Sequence, residues 1–343
     1  MNIKYPSVAV VVLTWNDSKN TVECLESIFK SDYSNYDVVL IDNNSDYEHI
    51  NYIFAWCKKR LINIYPINFD LKIPKIKINI NKKKLFFYRS NEIANFKFAK
   101  NLGVAAGYNK GFNYVIKKKY DFIMRIDCDF LIPKNLISGM VSTFQKNQEV
   151  AAVSPKVYYY LNKKTKLIWW TNLNYGKNYF RFNKFGKDNN RKVLDKGQFK
   201  GIITSDSTCG CCVMYKSEII KKAIKNFPKR KTVLDEDFFF GPEDMELSDR
   251  LKKHGKILVN LDYYAFHKVS QSTLISGVKE HVYFATIGWL LITKKICNRR
   301  DQIILRTYYL LKAITSFIKL FYKKDKNSDV GFLLGLKDYF LKY

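Results

Sequence analysis

Two continuous apolar runs, Val8–Leu13 and Val38–Ile41, each end abruptly in polar residues, with one amphipathic stretch between them. A short run without polar alternation reads as a strand covered on both faces. In the stretch between, Val22, Leu25, Ile28 and Phe29 recur at helical spacing, and Asp17 or Ser18 is suited to cap the helix. Strand Val8–Thr14, helix, strand predicts a parallel α/β sheet. Ligands of such sheets bind at the carboxyl ends of the strands. The polar residues that close each strand, beginning at Thr14 and at Asp42, are therefore well placed to act.

A third segment, YDFIMRIDCDFLIP from Tyr120 to Pro133, sharpens this. Phe122–Ile126 is apolar except for Arg125, and it runs into Asp127 and Asp129. Carboxylates one residue apart in extended chain point to the same side. Hard oxygen ligands of this kind favour Mg2+ or Mn2+ shared with substrate phosphates. A second acidic pair, Glu243-Asp244, follows Phe238-Phe239-Phe240 at the predicted start of the helix in GPEDMELSDRLKKHG. It suits helix capping, or Asp244 as a general base. His267, just beyond a short strand over Lys256–Asn260, reads as a metal ligand or as a buried histidine.

Other stretches are less regular. Residues 57–97 break the strand and helix pattern and read as an insertion or elaborated loop. Gly103, Gly107 and Gly111 permit close backbone approach ahead of a helical face of Phe112, Val115 and Ile116, yet form neither a dinucleotide fingerprint nor a phosphate loop. A helix near Asn135–Lys146 leads to a strand at Val150–Val153. The middle, from Pro155 to about Lys200, is rich in Tyr, Trp, Asn and Lys, a composition that suits packing or sugar stacking. Cys209-Gly210-Cys211-Cys212 lacks the second pair a zinc site requires and fits a strand or tight turn.

Composition bounds the partners. The 59 Lys and Arg against 31 Asp and Glu give a net charge of +28, a surface that attracts anions. Seven scattered cysteines suggest no disulfide framework, and the N-terminus does not read as a signal peptide, so a reducing, cytoplasmic setting is expected. Residues 276–343 change character, mixing aromatic and aliphatic faces with Lys and Arg. Basic amphipathic helices of this kind often lie on a membrane surface, or they pack back on the core and show a basic face to solvent.

In order, VVVLTWND, CLESIF, VVLIDNNSD, NLGVAAGYNKGF, YDFIMRIDCDFLIP, VAAVSPKVY, STCGCCVMYKSEII, FFFGPEDMELSDRLKKHG and AFHKVSQST resemble glycosyltransferase family 2. These are the inverting enzymes of GT-A fold, and the likeness is greatest to the rhamnosyltransferase-type branch of cell-surface polysaccharide biosynthesis. The resemblance implies a GT-A domain over 1–275, with a Rossmann-like, mostly parallel sheet flanked by helices and followed by a helical extension. It implies a nucleotide-diphosphate sugar donor, with Thr14, Trp15 and Asn16 lining its pocket and Asp42 on the base or ribose. Asn101, Gly103 and Asn109 would sit beside the sugar nucleotide. Asp127 would face ribose or metal, Asp129 and His267 would serve a Mg2+ or Mn2+ at the diphosphate, and Asp244 would be the base beside Glu243. Trp15 stands where the branch usually carries Tyr, and Glu246 where it often carries Asp.

The resemblance further implies a glycan or lipid-linked acceptor; the basic C-terminal helices suggest peripheral contact with anionic membrane at its inner face, and the lack of a binding module argues for no specific nucleic acid. Two rivals differ in class. A sugar-nucleotide nucleotidyltransferase has no need of the late Glu-Asp helix, and a basic nucleic-acid-binding protein would carry a recognisable module.

Overall fold

A computed structural model describes residues 5–68, 83–160, 166–174, 190–225, 232–269 and 277–343. Its core is one mixed sheet. The strands are β1 (Val8–Thr14), β2 (Tyr36–Asn43), β3 (Asn63–Pro66), β4 (Lys84–Ser90), β5 (Phe122–Asp127), β6 (Phe130–Leu131), β7 (Val150–Tyr159), β8 (Ile168–Trp170), β9 (Ile202–Thr204), β10 (Cys212–Lys216) and β11 (Lys256–His267). Their order is β3-β4-β2-β1-β5-β10-β7-β11-β6, with β8 beside β7 and β9 beside β11. The half from β3 to β5 is parallel, β10 runs antiparallel between β5 and β7, and β11 is parallel to β7.

Helices cover both faces. On one face α1 (Ser18–Phe29), α2 (Tyr47–Lys59) and α4 (Leu136–Lys146) share a core with Val8, Val10 and Val12; on the other α3 (Gly103–Lys117), α5 (Ser217–Lys225) and α6 (Glu243–Leu251) share a core with Ala9 and Val11. This is why β1 is apolar at successive positions: its alternate side chains enter two different cores. Each fully buried valine contributes on the order of 1.5–3 kcal/mol over an exposed one. Asp17 caps α1, its carboxylate accepting from the Asn20 amide. Gly107 and Gly111 let α3 lie close on the sheet, since a Cβ there would stand 2.8 Å from Leu13 and 2.6 Å from Val11. The glycines thus serve packing inside a helix that begins earlier than its apolar periodicity suggests.

Three expectations change. Residues 57–97 are not simply an insertion, because β4 within them pairs with β2 from Val38↔Leu85 to Asn43↔Ser90; residues 69–82 lie outside the described ones. The strand expected at Lys256–Asn260 continues to His267, with a bulge between Asn260 and Tyr264. The C-terminal helices also differ among themselves. In α7 (Val278–Ile296) and α9 (Asn327–Lys342), Tyr283, Phe284, Ile287, Leu290, Phe332 and Leu336 form a third core with Phe238 and Met245. Gly288 brings α7 so close to the 239–242 segment that an added Cβ would clash with the Gly241 carbonyl. Only α8 (Arg299–Tyr322) leaves a wide apolar face exposed. Among the described residues, no helix is long and apolar enough to cross a membrane.

Candidate active site

The sheet register gathers the predicted residues at one edge. Thr14 lies opposite Asp42 across β1 and β2, and Leu13 opposite Asp127 across β1 and β5. Beyond Asp127 the chain does not stay extended. It turns at Cys128-Asp129 and resumes as the two-residue strand β6. Asp127 and Asp129 therefore reach the same cleft through a turn, not through strand alternation. The Asp127 amide donates to the Cys211 carbonyl at 2.9 Å, and its carboxylate accepts from the Tyr108 hydroxyl at 2.6 Å. Burial raises the Asp127 pKa, while Arg125 opposes the rise.

Strand β6 explains His267. It pairs antiparallel with the end of β11, placing His267 opposite Phe130. The His267 Nε2 lies 3.3 Å from Asp129 Oδ2. The ring is stacked on Phe130 at 4.4 Å and meets the Trp169 ring edge-to-face at 4.3 Å, and Nδ1 is buried with no hydrogen-bond partner among the described residues. Next to it, Lys268 bonds Asn20 and Glu23 of α1, which fixes the end of β11 against the first helix.

Arg125, the exception in the apolar run, is the buried link between the two acidic motifs. Its guanidinium is 2% exposed, bonds Glu243 at 2.9 Å, lies 3.7 Å from Asp127 and sits over the Tyr108 ring. Glu243 is thus the internal partner of an arginine, not a group open to substrate. A charge placed inside a buried strand was the sequence signal for this pair.

Asp244 does not line the cleft. It lies against the Cys209–Cys212 turn, accepting from the Gly210 amide at 3.1 Å and the Met245 amide at 2.9 Å. Burial, and then the neighbouring Glu243, push its pKa up to about 7. An added Cβ at Gly210 would stand 2.7 Å from the Asp244 carboxylate. Gly210→Ala is therefore expected to displace Asp244 and lower turnover at least tenfold, with the fold retained. Circular dichroism beside steady-state kinetics checks this, and unchanged turnover would remove the turn from the site.

Of the predicted nucleotide-pocket residues, Thr14, Trp15, Asn101 and Gly103 line the cleft. Asn101 accepts from the Gly103 amide, and Gly103, at φ +81°, packs against the Phe239 carbonyl where a side chain would not fit. Three others are placed elsewhere. Asn16 clasps Asp46, joining the loop after β1 to the loop after β2. Asp42 is buried, accepts from the Ser45 amide and pairs with Arg89 at 3.3 Å. Asn109 is buried in α3 and holds both the amide and the carbonyl of Leu234, and also Glu236. Each answers to internal groups because the loop it anchors supplies them.

The cleft also has walls that were not among the predicted site residues. Asp17 and Cys128 join the polar side; Phe98, Phe239, Phe240 and Phe284 form an aromatic side, closed by Glu280 and His281 of α7. Burial lowers the His281 pKa. Helix α7 is thus part of the site.

Among the described residues, no group of three or more His, Cys, Asp and Glu side chains is gathered to hold a metal ion. The Asp129–His267 pair offers one carboxylate oxygen and one imidazole nitrogen. That donor set fits a divalent ion whose other positions are filled by phosphate oxygens and water.

Residues 83–223 match the sequence model of Glycosyl transferase family 2. Comparison with curated proteins finds no match in sequence. Among solved structures, S. aureus TarS 1–349 in complex with UDP-GlcNAc is similar at a TM-score of 0.53 and 14% identity, over 97% of this chain and 80% of that one. GalNAc-T7 with UDP, GalNAc and Mn2+ is similar at a TM-score of 0.50 and 14% identity, over 84% of this chain and 49% of that one, so the likeness spans about half of it. At such identities the likeness is one of fold. The family match covers β4, α3, β5, β6, β7 and β10, which include Asp127 and Asp129, and the architecture built around it is the GT-A fold of glycosyltransferases.

Proposed function

We propose that the chain is a metal-dependent, inverting glycosyltransferase of the rhamnosyltransferase-type branch. It would move a sugar from a nucleotide-diphosphate donor to a hydroxyl of a glycan or lipid-linked acceptor in cell-surface polysaccharide synthesis. The observation that carries the reading is the placing of Asp127 and Asp129, from β5 and the following turn, on the cleft that Thr14 and Trp15 also line, with His267 of β11 3.3 Å from Asp129. The family match over β5 and the following turn favours it.

In this reading Thr14, Trp15, Asn101 and Gly103 bind the nucleotide, and Asp127, fixed by Tyr108, orients it. Asp129 and His267 would hold a Mg2+ or Mn2+ at the diphosphate. Such an ion neutralises negative charge that builds on the leaving group. The aromatic side, Phe98, Phe239, Phe240 and Phe284, would receive the acceptor. The acceptor hydroxyl oxygen bonds to the anomeric carbon while the bond from that carbon to the diphosphate oxygen breaks, and Asp244, half-buried at the Gly210 turn whose Cys211 carbonyl accepts from the Asp127 amide, would take the hydroxyl proton. One displacement inverts the anomeric centre, and a pKa about 7 suits a base working near neutrality.

TarS and GalNAc-T7 were solved with uridine nucleotides, so uridine-diphosphate sugars are the first donors to try. The test is a panel of uridine-, thymidine- and guanosine-diphosphate sugars, with and without Mn2+, read as released nucleoside diphosphate and as donor-induced thermal stabilisation. Metal-dependent release from one donor, abolished in Asp129→Ala, is the expected result. Neither release nor stabilisation by any donor would overturn the reading.

A further inference from the structure

Helix α8 is held to the protein by little of its surface. Its buried residues are Asp301, Leu305 and Ser316, and Tyr309 and Ala313 lean on the third core. On the opposite side Ile303, Leu310, Ile314, Phe317 and Phe321 follow one another at steps of seven, four, three and four residues, with Leu311 and Ile318 beside them. That spacing makes a single stripe along the helix. All of these side chains are exposed, from 50% at Ile318 to 78% at Phe321. The stripe runs for roughly 27 Å at the rise of an α-helix. An apolar surface of this extent is not left to water without a role.

Charge decides what covers it. Arg299, Arg300 and Arg306 flank the stripe on the same helix, and Lys324 and Lys326 follow it, whereas Lys312 is turned over the Phe332 ring and Lys323 pairs with Asp329. The one acidic residue of α8, Asp301, is buried in the N-terminal cap with Asn298. A second copy laid on this stripe would bring two sets of these cations together, in a chain already at +28. An anionic lipid surface answers both features, taking the apolar side chains between its headgroups and the cations at its phosphates.

We propose that α8, alone of the three C-terminal helices, seats the protein on an anionic lipid surface, lying in the plane with Phe317 and Phe321 inserted and Arg300, Arg306 and Lys324 at the headgroups. The proposal narrows the sequence expectation, which gave this role to the whole basic extension; α7 and α9 are spent on the core and on the cleft. It does not depend on the reaction proposed above.

The test is cosedimentation of the full chain with vesicles of phosphatidylcholine alone or mixed 3:1 with phosphatidylglycerol, at moderate salt. Binding to the mixed vesicles and little to the neutral ones is expected. Phe317→Ser with Phe321→Ser should lower the partition at least tenfold. Arg300→Gln, Arg306→Gln and Lys324→Gln together should lower it roughly a hundredfold on anionic vesicles, from the contribution of each cation near such a surface. Unchanged melting temperatures would show that both variants fold, and unchanged release from a soluble donor would separate this role from catalysis. Failure of the parent chain to bind anionic vesicles, or binding that both variants leave intact, overturns the proposal. So does a dimer, measured by sedimentation, that the Phe317→Ser/Phe321→Ser variant dissolves while vesicles are ignored, since a second copy then owns the stripe.

Discussion

Asp244→Asn is expected to reduce turnover about 10²–10⁴-fold, the range that a positioned general base contributes. Donor affinity should hardly change, because Asp244 is not among the residues that line the cleft. Asparagine keeps an oxygen that can accept from the Gly210 or Met245 amide, so the turn is preserved while the base is lost. The parent enzyme's kcat/KM should rise with pH through about 7 as Asp244 loses its proton, and the variant should lack that limb.

The same shift predicts a gain in stability. A carboxyl whose pKa is higher in the folded protein than in the unfolded chain binds its proton more tightly when folded. The folded state is then favoured at low pH, and this contribution falls as pH rises from about 3.8 to about 7. Asparagine has no charge to bury, so Asp244→Asn should melt above the parent at pH 8, with the difference shrinking toward pH 4. A variant that kept full turnover, or kept the alkaline rise in kcat/KM, would assign the base elsewhere.

Arg125→Met is expected to cost about 3–5 kcal/mol in denaturant unfolding, because it leaves the buried Glu243 carboxylate without its cation. Whole domains are stable by only about 5–15 kcal/mol, so the single variant should be marginal. Arg125→Met combined with Glu243→Met should recover most of the loss, since an apolar pair of similar volume replaces two desolvated charges. Turnover should not recover with it, because Asp127 would still lack the guanidinium 3.7 Å away. A double variant as unstable as the single would show that the arginine acts by packing over Tyr108 and not by compensating Glu243.

How much of the site was legible follows from which signals are local. Asp127 and Asp129 stood at the end of an apolar run, and the strand period alone indicated the sheet edge where they lie. His267 was visible only as a histidine beyond a strand. Its approach to Asp129 depends on β6 pairing with β11, and on a bulge that carries β11 past Asn260. The 57–97 region hid β4 because KLFFYRS lies beside lysine- and asparagine-rich sequence, and composition there masks the parallel pairing with β2.

The sequence by itself determined the alternation of buried strands and amphipathic helices, the carboxyl edge as the place for chemistry, and the acidic residues that stand there. These follow from periodicity and turn chemistry, which act over a few residues. Only the tertiary structure decided which polar residues face the cleft and which are consumed inside. Asp42, Asn109 and Glu243 are the right residue types at family-like positions, yet Arg89, the 234–236 segment and Arg125 hold them internally. It likewise gave α7 to the cleft and left α8 bare, though both read as basic amphipathic helices. The physical reason is that a side chain's partner is set by what folds against it from far along the chain, and no local pattern carries that distance.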